Sequence, residues 1–124
     1  MATPILKQGR VLIVSIQASM SDMDLMELRD ELAERVGRFR SSGVVIDVSG
    51  LDVMDSFATR TLRGIAHTTR LRGAETVIVG IQPDVAIAMV QFDLNLEALR
   101  AVLDLDEAVA LLDRLTDGEG RDER

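Results

Sequence analysis

The stretch Gly43-Val44-Val45-Ile46-Asp47-Val48-Ser49-Gly50-Leu51-Asp52-Val53-Met54-Asp55-Ser56-Phe57 changes character twice. Its first part, Val44 to Val48, is a strongly β-branched strand. Ser49 to Asp55 is a loop punctuated by acids. From Ser56 a helical pattern begins, with Ala58, Leu62, Ile65 and Ala66 on one face and Gly73 as a stop. A strand feeding directly into such a helix is half of a parallel crossover unit.

The alternation extends in both directions. Upstream, Ile5 and Leu6 open a strand, Lys7 to Gly9 form a tight turn, and Val11 to Ile16 form a second strand. Ser21 with Asp24 makes a capping-box start for a helix whose apolar face is Leu25, Leu28, Leu32, Val36 and Phe39. Gly43 marks its exit. Met20, Met23 and Met26, spaced by three, read as packing residues. Downstream, Thr76 to Val79 is a strand, and Pro83 suits the first turn of a helix carrying Val85, Ala86, Met89 and Val90. A short strand is expected at Leu99 to Val102. Asp104 with Glu107 then caps a last helix bearing Ala108, Leu111, Leu112 and Leu115.

The expected fold class is therefore α/β, a mainly parallel mixed sheet with helices packed on it. The predicted core includes Val14, Leu28, Leu32, Val45, Ile46, Leu62, Ile65, Val77, Ile78 and Leu111. Residues 1–116 make a single domain, and residues 117–124 a charged tail expected to fray.

Composition narrows the function. A chain of 124 residues buries about two-thirds of its unfolded surface, enough for one core. Without cysteine there are no disulfides or thiolate metal sites. A net charge of -7 argues against nucleic acid and anionic membranes as partners. With three Phe and neither Trp nor Tyr, base-stacking platforms have little to be built from. No signal peptide or apolar run of membrane-spanning length is legible, so a cytoplasmic location is expected.

Catalytic readings find little support. His67 is the only histidine, and it follows Ser56 by 11 residues on one predicted helix. That spacing is about 16 Å along the axis, beyond hydrogen-bond reach. Asp47, Asp52 and Asp55 gather where α/β metal sites form, yet a loop-stabilising and helix-capping role accounts for them. No metal and no cofactor is expected. Ser56 has two open readings, an N-cap or a regulated hydroxyl at the electropositive helix end.

Four segments in order carry a resemblance: Pro4 to Leu6, Leu12 to Gln17, Gly43 to Phe57, and Gly80 to Pro83 followed by Val85-Ala86. They resemble the signature of the STAS family, the anti-sigma-factor antagonists, and within it the stressosome scaffold proteins. The likeness runs from Pro4 to Leu115. It implies a single STAS domain that is not an enzyme. It also implies Ser56 as phosphoacceptor for an RsbT-like serine kinase, with Asp52, Met54, Asp55, Phe57 and Thr59 as partner-contact candidates. The family's scaffolds hold that kinase in a large homo- or hetero-oligomeric assembly with RsbR-like STAS proteins, and phosphorylation releases it for stress signalling. RsbR-like relatives carry a large domain ahead of the STAS domain; the scaffold role is expected because these residues include none. Two alternatives remain: a partner-switching anti-anti-sigma factor binding an anti-sigma kinase directly, and a small-molecule binding module.

Overall fold

The computed structural model describes residues 4–92 and 99–122. The elements run β1 (Ile5–Gln8), β2 (Val11–Ser15), α1 (Asp22–Phe39), β3 (Gly43–Asp47), α2 (Ser56–Leu71), β4 (Glu75–Val79), α3 (Pro83–Gln91), β5 (Leu99–Val102) and α4 (Leu105–Asp122). The strands form one sheet in the order β1-β2-β3-β4-β5. β1 pairs antiparallel to β2, and the remaining pairs are parallel. This is the mainly parallel mixed sheet that the alternating pattern predicts.

Period-two geometry sends neighbouring strand residues to opposite faces. Ile46 stands in register between Val14 and Ile78, and Val45 between Ile13 and Val77. Val14, Ile46 and Ile78 pack with Leu28, Leu32, Leu62, Ile65 and Val85, so α1, α2 and α3 cover one face. Val45 and Val77 pack with Ala108 and Leu112, so α4 covers the other. Both covers meet over β3, which explains why Val44, Val45 and Ile46 in succession are apolar and buried. Every predicted core residue is buried except Leu111, which is half-buried beside α4.

Local chemistry sets the helix ends. The Ser21 hydroxyl accepts from the Asp24 N–H at 3.1 Å, and Asp24 accepts from the Ser21 N–H at 2.9 Å. The Ser21 backbone N–H foremost, and the Ser21 hydroxyl after it, hold the Asp24 carboxyl below its ordinary pKa. Its contribution to stability is therefore present above the unfolded pKa and is lost as pH falls through the folded value. At the other end of α1, Arg40 adopts a left-handed φ of 51° and its N–H reaches the Val36 carbonyl. The exit is thus Arg40 and not Gly43. Gly43 instead opens β3 beneath α4, where a Cβ would come within 2.6 Å of Leu112 Cδ1.

Other expectations differ from the structure. Phe39 ends α1 at the surface, its ring under the Arg38 guanidinium at 4.9 Å. α3 buries Val85 and Met89 while Ala86 and Val90 face outward, because it covers only the sheet's margin. Met23 and Met26 are exposed, and only Met20 of the three packs against the core. Asp104 caps α4 as expected, its Oδ1 accepting from the Glu107 N–H at 2.9 Å, but the Glu107 carboxylate accepts from the Leu103 N–H at 3.2 Å and not from that of Asp104. α4 runs on through Gly118 and Gly120 to Asp122, into the segment expected to fray; residues 123 and 124 of that tail lie outside the described residues.

Ile46 is fully buried, whereas Val90 is 80% exposed. Ile46→Ala is expected to cost about 2–5 kcal/mol in urea unfolding. Val90→Ala is expected to stay within about 0.5 kcal/mol, which checks the corrected face of α3.

Candidate functional site: the loop before helix α2

Parallel strands place the chain segments that leave them along one edge of the sheet. At this edge β3 passes through residues 48–55 into α2. Three neighbours hold that passage. From β2, the Ile16 N–H donates to the Asp47 carbonyl at 2.9 Å. Within the loop, the Ser49 N–H donates to Asp47 Oδ1 at 2.8 Å, a local turn. From β4 and α3, the Val48 N–H donates to the Val79 carbonyl at 3.0 Å, and Gln82 Nε2 donates to the Ser49 carbonyl at 2.8 Å.

Gly80 completes this support. Its φ is +76°, and a Cβ there would meet Ser49 Cβ at 2.7 Å. The segment Gly80 to Pro83 therefore braces the loop that leads to Ser56. The sequence singled out Asp47 only as a possible metal carboxylate and Gly80 and Gln82 only within a family-like segment, and their bracing role was not identified. The one signal available was a glycine directly after a β-branched strand.

The cap of α2 is Asp55. Its φ is -87° and its Oδ1 accepts from the Ala58 N–H at 2.8 Å. That decides which of the two residues is the cap. Asp55 caps, and Ser56 is the first helical residue, half-buried, with its hydroxyl not needed for the cap. Asp52 and Asp55 are exposed, and Phe57 is half-buried against the core. Met54 and Thr59 are buried. Met54 packs the loop onto the core, and the Thr59 hydroxyl donates to the Asp55 carbonyl at 2.9 Å. The surface that the five contact candidates present around Ser56 is therefore Asp52, Asp55 and part of Phe57.

A groove of about 170 Å³ opens beside Asp55, lined by Gln17, Met20, Leu25, Leu51, Val53 and Met54. That is below the ~300–1,000 Å³ usual for small-molecule sites. Val53 stands 73% exposed on its margin, so this edge offers a protein surface more readily than a cavity. Among the described residues, no cluster of His, Cys, Asp or Glu is arranged to hold a metal ion. His67 is exposed on α2, away from this edge. No helix among the described residues is long and apolar enough to cross a membrane.

These supports are separable by mutation. Asp55→Ala is expected to cost about 0.5–2 kcal/mol as a lost cap. Ser56→Ala is expected to stay within about 0.5 kcal/mol. Gly80→Ala is expected to lose more than about 1 kcal/mol through its left-handed φ and the Ser49 contact. Urea unfolding of the three variants checks the order.

Similarity to known proteins follows the same architecture. RsbS of Moorella thermoacetica, in a serine-to-glutamate variant, superposes with a TM-score of 0.83 at 32% identity, covering 93% of this chain and 97% of that one. A chain from the solved molecular architecture of the stressosome gives a TM-score of 0.80 at 34% identity, covering 91% and 98%. The RsbT co-antagonist protein RsbRD of Bacillus subtilis is 26% identical over 81 residues, 65% of this chain and 29% of that protein. The RsbT co-antagonist protein RsbRA of the same organism is 26% identical over 90 residues, covering 73% and 33%. The chain thus spans about a third of the length of these curated relatives. Residues 3–108 match the sequence profile of the STAS domain, and the chain belongs to the STAS domain family.

Proposed function

We propose that this protein is a non-enzymatic stressosome scaffold that holds an RsbT-like serine kinase and releases it when Ser56 is phosphorylated. The observation that carries the reading is the division of labour at the start of α2. Asp55 supplies the cap, which leaves the Ser56 hydroxyl free to be modified without unpicking the helix. Support comes from the likeness to RsbS over nearly the whole length of both chains. The curated relatives named as RsbT co-antagonists support the choice of kinase class and of RsbR-like assembly partners.

The electrostatics favour release over unfolding. A phosphate brings about -1.5 to -2 charges at neutral pH. Exposed Asp52 and Asp55 stand close by in sequence and oppose it. The α2 N-terminus attracts it, typically by ~0.3–1 kcal/mol. These local terms are small and opposed, so the domain keeps its fold. A partner docked over the hydroxyl faces a larger penalty. Burying an unpaired dianion costs several kcal/mol, enough for roughly a hundredfold loss of affinity or more.

Size-exclusion and binding measurements with an RsbR-like partner and an RsbT-like kinase test the reading. The unmodified protein is expected in a high-mass particle that retains kinase. The Ser56-phosphorylated form is expected to lose the kinase with an unchanged circular dichroism spectrum. Ser56→Ala is expected to bind and not switch, and Ser56→Asp to release only in part. Equal kinase affinity for the modified and unmodified forms would remove the mechanism. A one-to-one complex with an anti-sigma kinase, and no particle, would replace it with direct partner switching.

A further inference from the structure

From Ser56 to Ala74 the sequence has no acid, while Arg60, Arg63, Arg70 and Arg72 all fall within it. On α2, Ser56, Arg60, Arg63 and His67 recur at spacings of three and four, which puts them on one side of the helix. Leu62, Ile65, Ala66 and Thr69 fill the buried side. Ser56 and Arg63 are half-buried, and Arg60 and His67 are exposed. The Arg60 side chain takes part in no hydrogen bond or ion pair among the described residues. Its own helix offers no acid: the positions three and four away are Phe57, Ser56, Arg63 and Gly64.

Helix α1 shows what such an arginine does when an acid is within reach. Arg35 reaches back four residues to Glu31 at 2.8 Å, and Arg38 reaches back four to Glu34 at 3.2 Å. The direction has a cause. Each Cα–Cβ bond leans toward the helix N-terminus, so a long side chain lies over the residue four before it. An acid followed four residues later by a base is the favoured order. Arg60 stands to Ser56 as Arg35 stands to Glu31. A phosphoserine carries its terminal oxygens as many bonds from Cα as a glutamate does. Phosphorylation therefore supplies at position 56 the acid that α2 lacks, at the reach that α1 already uses.

The geometry points to Arg60 as the intramolecular partner of a phosphate on Ser56. It is a positioning residue that folds back one turn, holds the phosphate over the start of α2 and keeps it dianionic. The inference rests on the proposal that Ser56 is the modified residue, and adds what receives the new charge. Acids lie on the other flank. Asp52 and Asp55 precede Ser56 in the loop, and Asp22 lines the groove beside Asp55. The Asp55 Oδ1 is committed to the Ala58 N–H. These carboxylates oppose the second ionisation of the phosphate, whereas Arg60 and Arg63 favour it. Arg60 is the nearer cation, one turn from Ser56 against two for Arg63.

Phosphorus NMR titration of the full chain, with phosphoserine placed at position 56 during synthesis, tests the pairing. The second pKa of a phosphoserine is ordinarily about 6. Arg60→Gln is expected to raise it by about 0.2–0.4 pH unit, the equivalent of one ion pair at this spacing. Arg63→Gln is expected to raise it less. Arg60→Lys, which keeps the charge, is expected to titrate between wild type and Arg60→Gln. Thermal unfolding supplies the control for a merely structural role. Arg60→Gln is expected to lower the Tm of the phosphorylated protein by about 1–2 °C. The unmodified protein is expected to keep its Tm, because there Arg60 has no partner to lose, and this also shows that the variant folds. An unchanged phosphate pKa in Arg60→Gln overturns the proposal. So does a larger shift from Arg63→Gln, an Arg60→Lys variant that titrates with Arg60→Gln, or an equal loss of stability in both forms. No kinase takes part, so the two readings fail separately. A kinase that modifies another residue removes Ser56 as the target and leaves this coupling measurable, whereas absent coupling with Ser56 still modified removes the Arg60 pair alone.

Discussion

Val45 and Ile46 are neighbours in β3, and both are fully buried, one beneath α4 and the other beneath α1 and α2. Covering the central strand from both sides is the constraint on which the other features depend. It fixes β3 between β2 and β4 in parallel register, and so fixes the edge at which the chain emerges. Burial of a side chain such as Ile46 contributes about 1.5–3 kcal/mol. A register slip by one residue would turn the strand's two faces over and exchange their packing partners. The loop to Ser56 can be held by single hydrogen bonds because the strands on either side of it cannot slide.

Much of this was legible in the sequence. The β-branched segment Val44 to Val48 announced a strand, the nearly unbroken run Val11 to Ile16 announced one covered on both faces, and Ser21 with Asp24 announced the start of α1. The capping of α2 was ambiguous from residue types alone, since aspartate and serine both cap well and Asp55 and Ser56 are adjacent. Backbone conformation resolves it, because only Asp55 is extended and bonded to the third helical N–H. The errors lay where packing from distant segments decides. Phe39 and Val90 fit an apolar helical spacing, but neither joins a buried cluster: Phe39 lies at the surface beneath Arg38 and Lys7, and Val90 stands in solvent. Gly43 resembled a helix stop until Leu112, far along the chain, proved to be what needs its missing side chain.

The site is a surface braced from behind. Asp47, Gly80 and Gln82 hold the loop in place without facing a partner, which leaves Asp52, Asp55 and Ser56 to present charge and a hydroxyl. A rigid support of this kind suits the proposed switch, in which a phosphate on Ser56 would meet an unchanged backbone. Ser56 also stands four residues before Arg60, at the head of the cationic side of α2. Modification there alters the charge of the same helix that carries the arginines.

The central claim is that Ser56 is the residue the kinase modifies. Mass-spectrometric mapping after incubation with an RsbT-like kinase and ATP tests it most directly. The account predicts one phosphate, on Ser56, and none on the Ser56→Ala variant. Phosphate on another residue, or equal incorporation into that variant, would contradict it.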